Sequence, residues 1–454
     1  MDQMDQASES QPERFPPGLS HAFLFATCNA LSFPIVFGSP MILYAKSLGA
    51  TATVLGILAG MMPLLVILQI PATKHVPRFG YRLFVLIGWA ARTVVYFGLV
   101  CVPLLTVLEP ATRLALLLSL MFVFTMLRGI FSCAWLPWIT SLVPENIRGR
   151  YLAVDYACVQ LSGFVVVLSA AWWLGAESSP TRFAGLFLFG ALAGLASLFF
   201  LGRIPEVAPP EAVRESAAPV PWKEILLHPP FRKLLSFSMI WAFAFGGIAP
   251  FTVAWLKTEA GLPVDSILKV TAITYLGGLV AVGLMSRRLD AFGSKPAMLL
   301  AMMLWLALIG CWVALSLGVL PISYAVLVPL HVVMGFAGAL VGMSMMRLVM
   351  GVIPTMGRSH FFALFSVTAN VSMGVSPILW GLLLDVLRES GVAREQWGVG
   401  HYTVFFVGVG VFVAGALILC FRLSEPAAVP MNRLLRDILI ESPQRLWIRF
   451  WPRR

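Results

Sequence analysis

The chain has 454 residues, of which 59% are hydrophobic and only 12% charged, and its mean hydropathy is +0.88. A soluble domain carries about 25% charged residues, so a globule with a water-facing surface is excluded. The net charge of +11 does not imply a nucleic-acid partner, because the basic residues fall in short polar segments and in the C-terminal tail, where they set membrane topology and meet anionic lipid.

Residues 1–20 are polar without an apolar core, so no cleaved secretory signal is expected and they read as a cytoplasmic tail. Apolar runs follow at 21–45, 51–73, 82–104, 113–139, 151–174 and 182–202. Residues 204–233 are rich in proline and charge and read as a linker. A second set of runs lies at 234–256, 267–286, 296–318, 322–350, 361–386 and 401–422. Runs of about 20 apolar residues suit membrane-spanning helices and not the ten-residue alternation of barrel strands. The predicted fold is therefore all-α, with twelve transmembrane helices as two six-helix bundles, 21–203 and 234–422. In the tail, 423–454, leucines and tryptophans alternate with arginines, which predicts a basic amphipathic segment on the inner leaflet.

Short motifs repeat between the halves. Val143-Pro144-Glu145-Asn146-Ile147-Arg148-Gly149-Arg150-Tyr151-Leu152-Ala153 recurs as Ile353-Pro354-Thr355-Met356-Gly357-Arg358-Ser359-His360-Phe361-Phe362-Ala363. Proline, arginine and alanine keep their places, and each copy leads into an apolar run. Arg78-Phe79-Gly80-Tyr81-Arg82 is matched by Ala291-Phe292-Gly293-Ser294-Lys295, and such a glycine lets a two-helix turn stay tight. Repeats of this kind are how membrane transporters build a site at the interface of two related halves. The six cysteines are dispersed with no CxxC or Cys/His spacing, so neither a metal site nor a disulfide framework is expected. No HExxH, G-x-S-x-G or P-loop pattern occurs, so neither an enzyme nor a cofactor is expected.

With six plus six spans, the linker, the glycine-basic loops after the second and eighth runs, and the proline-to-arginine hinges after the fourth and tenth, the chain resembles the major facilitator superfamily. Pro230-Phe231-Arg232-Lys233 is similar to that family's usual approach to its second half. The resemblance implies two pseudo-symmetric bundles around a cavity that opens alternately to each side, with the first, fourth, seventh and tenth spans lining it. There are departures. Pro77 stands where the family's first loop usually has an acidic residue, although Asp290 keeps that place in the second half. The run Leu161-Ser162-Gly163-Phe164 lacks the Gly-Pro pair of drug/proton antiporters.

Ionisable and amide groups within the apolar runs are the candidate site residues, because burying them in lipid is costly. Arg128 and Arg347 fall in spans that the resemblance places around the cavity, so both are expected to meet substrate, while Arg92 is expected to have a structural partner. The hinge offset of 210 aligns Gln160 with Asn370, two mid-span amides at one repeat position; they either bind a polar solute or hold helices together. Arg148, Arg358, Asp155, Asp290, Gly80 and Gly293 are expected to serve gating. His331 and Asp155 are candidate proton carriers, with ring or carboxylate bonding inside the bundle as the structural alternative.

These readings converge on a monomeric secondary transporter of the cell inner membrane that carries a small polar or anionic solute, with an ion such as H+ as a candidate coupled partner. A transporter-like sensor or lipid-handling protein is the alternative. Of the 32 Lys and Arg residues, 22 lie on the side that holds both termini and the linker, and 7 on the other, which predicts cytoplasmic termini. A cysteine introduced at Ser390 should react with an impermeant thiol reagent added outside whole cells, and one at Ala217 should not. The opposite labelling would reverse the orientation.

Overall fold

The computed structural model describes residues 18–143, 148–207, 228–352, 358–391, 398–423, 425 and 429–436. Most of the linker, the two proline-bearing hinge segments and the tail beyond 436 lie outside the described residues, as do the side chains of Arg148, Arg358 and Asp290. Among the described residues, twelve helical spans are long and apolar enough to cross a membrane. They are α1 (Leu19–Ser47), α2 (Ala52–Phe79), α3 (Tyr81–Leu104), α4 (Pro110–Leu142), α5 (Arg148–Leu174) and α6 (Pro180–Leu201). The second set is α7 (Pro229–Thr258), α8 (Val264–Phe292), α9 (Ser294–Ser316), α10 (Tyr324–Val352), α11 (Arg358–Ser390) and α12 (His401–Phe421). A short α13 (Met431–Arg436) follows, with Leu434 buried near α9. Helices are required here because hydrocarbon offers no partner for backbone N–H and C=O groups.

Several helices outrun the predicted apolar stretches. The α8 helix continues to Phe292 although its apolar run fades near 286, and α11 continues to Ser390. Hydropathy marks the hydrocarbon crossing, whereas the backbone ladder continues through the headgroup region.

The contact pattern is that of two related bundles. In the first, α1 packs on α5 and α6, α3 on α4 and α6, and α2 on α4. In the second, α7 packs on α11 and α12, α9 on α10 and α12, and α8 on α10. Adding six to each label of the first set gives the second. The cross-bundle seams obey the same rule, since α2 packs along α11 and α5 along α8. Both leading helices are also broken near mid-span, α1 at Gly38 and α7 at Gly247.

The repeated glycine loops have one conformation. Gly80 has φ 74° and ψ 164°, and Gly293 has φ 88° and ψ 171°, a region that favours glycine. Each loop ties the bundle's last helix to its third. Arg82 donates to the Gly202 carbonyl beyond α6, and Lys295 Nζ donates to the carbonyls of Phe421 (3.0 Å) and Leu423 (2.8 Å) at the end of α12. In return, Glu425 accepts from the backbone N–H groups of Ser294 and Lys295 at the N-terminus of α9, and Glu206 approaches Gly80 at the N-terminus of α3. Cations thus sit on helix C-termini and carboxylates at N-termini, as the helix dipole favours. Arg203-Ile204-Pro205-Glu206 and Arg422-Leu423-Ser424-Glu425 carry this device and form a third repeat.

Each helix runs between the end that holds the linker and a distal end. At the α2–α11 seam the backbones nearly touch: a methyl group on Gly56, Gly60 or Gly381 would overlap carbonyls of Pro377, Gly374 or Ala52. At the distal tip Asp385 of α11 caps α2 across the seam. Its Oδ1 accepts from Ala52 N–H (3.0 Å) and its Oδ2 from Thr53 N–H (2.8 Å), with the Arg388 guanidinium at 3.9 Å. The distal halves of α1 and α7 also meet. The distal end is closed.

Asp385→Ala removes both cap acceptors, a loss of about 0.5–2 kcal/mol for an N-cap. Spin labels at Ser47 and Thr258, on the two distal tips, should then show a longer-distance population raised by roughly 2- to 30-fold relative to the closed one. Gly56→Leu should have a larger effect, because its side chain has no room in the closed seam. Distance distributions unchanged in both variants would show that the seam does not hold the distal end shut.

Candidate functional site

The first bundle collects its polar groups where α1, α3 and α4 meet. Arg92 on α3 is buried at 4% exposure. Its Nη2 donates to Asn29 Oδ1 on α1 at 2.7 Å, and its guanidinium lies 4.6 Å from the Trp89 ring centroid and 5.2 Å from that of Phe124. Arg92 therefore has the structural partner expected of it, held by an amide and two aromatic faces. Asn29 was not among the sequence candidates. The bond spans 63 residues, and nothing local to α1 marks this asparagine.

Arg128 differs. It is half-buried on α4, one turn before that helix tightens into the 3-10 segment Ser132–Ala134. Its Cζ lies 5.4 Å from the Phe33 ring centroid on α1, near the break at Gly38. Among the described residues no carboxylate pairs with either arginine, and no protein group accepts a hydrogen bond from Arg128. Broken helices beside an unpaired cation are how membrane transporters make room for a polar solute.

The two amides lie on different seams. Gln160 of α5 reaches across to α8, where its Nε2 donates to the Tyr275 carbonyl at 3.3 Å and lies against Gly278. The Tyr275 ring in turn lies against Gly163 of α5. Asn370 of α11 turns its Nδ2 back to its own helix, at 2.8 Å from the Ser366 carbonyl and 3.4 Å from Ser366 Oγ. Both side chains are half-buried. Each gives an amide N–H to protein, and among the described residues neither carbonyl oxygen has a protein partner.

The remaining candidates scatter. Arg347 is exposed on α10 toward the linker end. Asp155 is half-buried in the linker half of α5, one turn from Tyr151. His331 is 2% exposed within the second bundle, with Nδ1 2.8 Å from the Leu327 carbonyl and its ring edge-on to Trp312. Trp312 also stacks on Phe406 and meets Trp255 edge-on, so His331 belongs to an aromatic core. Trp255 and Trp138, each near the end of its span, are buried, and Trp138 Nε1 donates to the Pro205 carbonyl. Trp172 and Trp173 are exposed at the distal end of α5, as interfacial residues should be. Among the described residues no group of three or more His, Cys, Asp or Glu side chains could hold a metal.

Comparisons with known proteins place the chain. The Major Facilitator Superfamily profile matches residues 22–289. Comparison with curated proteins gives no sequence match. Among solved structures, a mutant of the nucleoside transporter NupG has a TM-score of 0.66 at 13% identity, covering 90% of this chain and 100% of that one. A D-xylose-proton symporter gives 0.65 at 16% identity (91% and 99% covered). A bacterial homolog of the human lysosomal transporter Spinster, inward-facing and unoccupied, gives 0.64 at 14% identity (92% and 97% covered). With its twelve helices, paired seams and matching profile, the chain belongs to the major facilitator superfamily and is a multi-pass membrane transporter, not an enzyme.

Proposed function

We propose that the protein is a secondary active transporter of the cell inner membrane, with cytoplasmic termini, that moves a small anionic solute by alternating access. The observation that carries the reading is Arg128, a half-buried cation inside a membrane span with no carboxylate partner among the described residues. A guanidinium there costs free energy unless an anion completes it, and its planar fork suits a carboxylate or phosphate. The Phe33 face beside it fits an apolar part of the same solute.

The amides refine the class. Gln160 and Asn370 each give an N–H to protein and offer a carbonyl oxygen, so they suit solute N–H or O–H donors. A small solute with one anionic group and one or more donors, such as an amino or hydroxy acid, has the chemistry that Arg128 and the amides offer. Arg347, toward the linker end, would attract the anion on its way in or out. Gating is assigned to the hinges of Arg148 and Arg358, with Asp155, Asp290, Gly80 and Gly293, acting against the distal closure. Asp155 and His331 remain the proposed proton carriers, and Asp155, half-buried in the linker half of α5, is better placed than His331, which is enclosed in an aromatic core. The protein is expected to work as a monomer, its basic tail on lipid.

Counterflow in proteoliposomes tests the reading, after a thermal-shift screen of anionic metabolites has supplied a binder. Arg128→Gln should weaken the binder's apparent affinity roughly 10- to 150-fold, the worth of a charge-assisted hydrogen bond of about 1.5–3 kcal/mol. Arg128→Lys should restore charge without the two-point contact and fall between the two. Gln160→Ala and Asn370→Ala should each cost roughly 2- to 13-fold. Folded Arg128→Gln protein that binds and exchanges the anion as the parent does would end the anion reading. A parent protein that binds a metabolite but never exchanges it would favour a sensor.

A further inference from the structure

The linker half of α2 is not a regular helix. After Leu65 it passes through a 3-10 turn (Val66–Leu68), an α turn (Gln69–Ala72), a second 3-10 turn (Thr73–His75) and a last α turn (Val76–Phe79). Pro71 and Pro77 remove backbone donors along this stretch. The irregular path leaves a cleft of about 470 Å³ between α2, α3 and α4. Its walls are apolar and include Leu68, Ile87, Ile130 and Phe131, and its linker-end rim carries Lys74 and His75. Phe131 forms the floor because α3 has Gly88 at that point, and the Phe84 ring meets it at a tilt with centroids 4.8 Å apart.

The chain segment that forms the rim carries charge of one sign. Residues 70–82 contain Lys74, Arg78 and Arg82 and no Asp or Glu. Arg82 is engaged with the Gly202 carbonyl, and the nearby Glu206 carboxylate sits at Gly80 over the N-terminus of α3. Lys74 and Arg78 are exposed and have no ion pair or hydrogen bond to protein among the described residues. Arg78 lies 5.8 Å from the ring centroid of Phe79, itself 41% exposed. From this rim to Leu68 or Ile87 the cleft runs about 10 Å into the membrane by helical rise.

We propose that this cleft binds one anionic glycerophospholipid from the leaflet at the linker end, with its phosphate on Lys74 and Arg78 and an acyl chain against Ile87, Ile130 and Phe131. The apolar wall and the unpaired cations lie in the order in which a lipid presents tail and headgroup. A zwitterionic lipid would fill the cleft without using the cations. A soluble phosphate would use the cations without the wall. The site is separate from Arg128 and needs no transported solute.

Native mass spectrometry of the purified full chain with phosphatidylglycerol and phosphatidylcholine of matched acyl chains tests this. Phosphatidylglycerol should bind the parent protein more tightly. At about fivefold for each basic residue, Lys74→Gln with Arg78→Gln should remove roughly 25-fold of its affinity and leave phosphatidylcholine unchanged. Ile87→Trp, which fills the cleft with charges intact, should weaken both lipids, and inorganic phosphate should not displace bound phosphatidylglycerol. Equal binding of the two lipids to the parent, or a preference for phosphatidylglycerol that survives the charge variant, would overturn the proposal. So would displacement by inorganic phosphate, or an Ile87→Trp protein that binds phosphatidylglycerol normally. The charge variant alters only exposed residues, so the proposal stays testable if Ile87→Trp does not fold.

Discussion

The molecule depends on how closely two backbones can approach inside a membrane. Between helices in lipid there is little hydrophobic drive, so association relies on packing and on polar contacts. At the α2–α11 seam, Gly56, Gly60 and Gly381 remove the side chains that would keep carbonyls apart, and Asp385 ends the seam with a charge on a helix N-terminus. The α5–α8 seam uses Gly163 and Gly278 against Tyr275 and Gln160. Among the described residues, the close glycine approaches between bundles lie at mid-depth or toward the distal end. An interface held by fit and a few hydrogen bonds can be remade in another geometry at small cost, which a large hydrophobic contact could not.

Within each bundle the logic is opposite. The Arg82 and Lys295 contacts and the Glu425 cap bind the third and last helices of a bundle at its linker end, and the aromatic core around Trp255, Trp312 and Phe406 fills the second bundle. Bundles that are stiff inside and joined by remakeable seams are what rigid-body rocking requires.

Much of the fold was legible in the sequence because hydrocarbon thickness and apolar run length are directly coupled, and because the hinge and glycine loops repeat at nearly constant offset. The site was less so. Arg128 could be picked out since a cation in a span is anomalous wherever it points, and Arg92 could be set apart from it only through the family resemblance. Asn29, Asp385 and Glu425 were missed. Their partners are 63, 333 and 131 residues away, and a capping carboxylate at the end of an apolar run looks like any other interfacial charge. The alignment of Gln160 with Asn370 compared positions along the chain, whereas the direction of each side chain was decided by Tyr275 in one case and Ser366 in the other.

The paired tryptophans at the distal end of α5 carry a consequence of another kind. Trp172 and Trp173 face outward, and Trp173 Nε1 is bonded to the Arg182 carbonyl at the start of α6, so the α5–α6 corner is fixed to the depth that indole rings prefer. Under the proposed alternating access, rocking the first bundle about its seams must tilt that corner against the headgroup plane. Bilayer thickness then enters the conformational equilibrium as a mechanical load, and the same protein in thin and thick membranes would divide its time differently between its two faces.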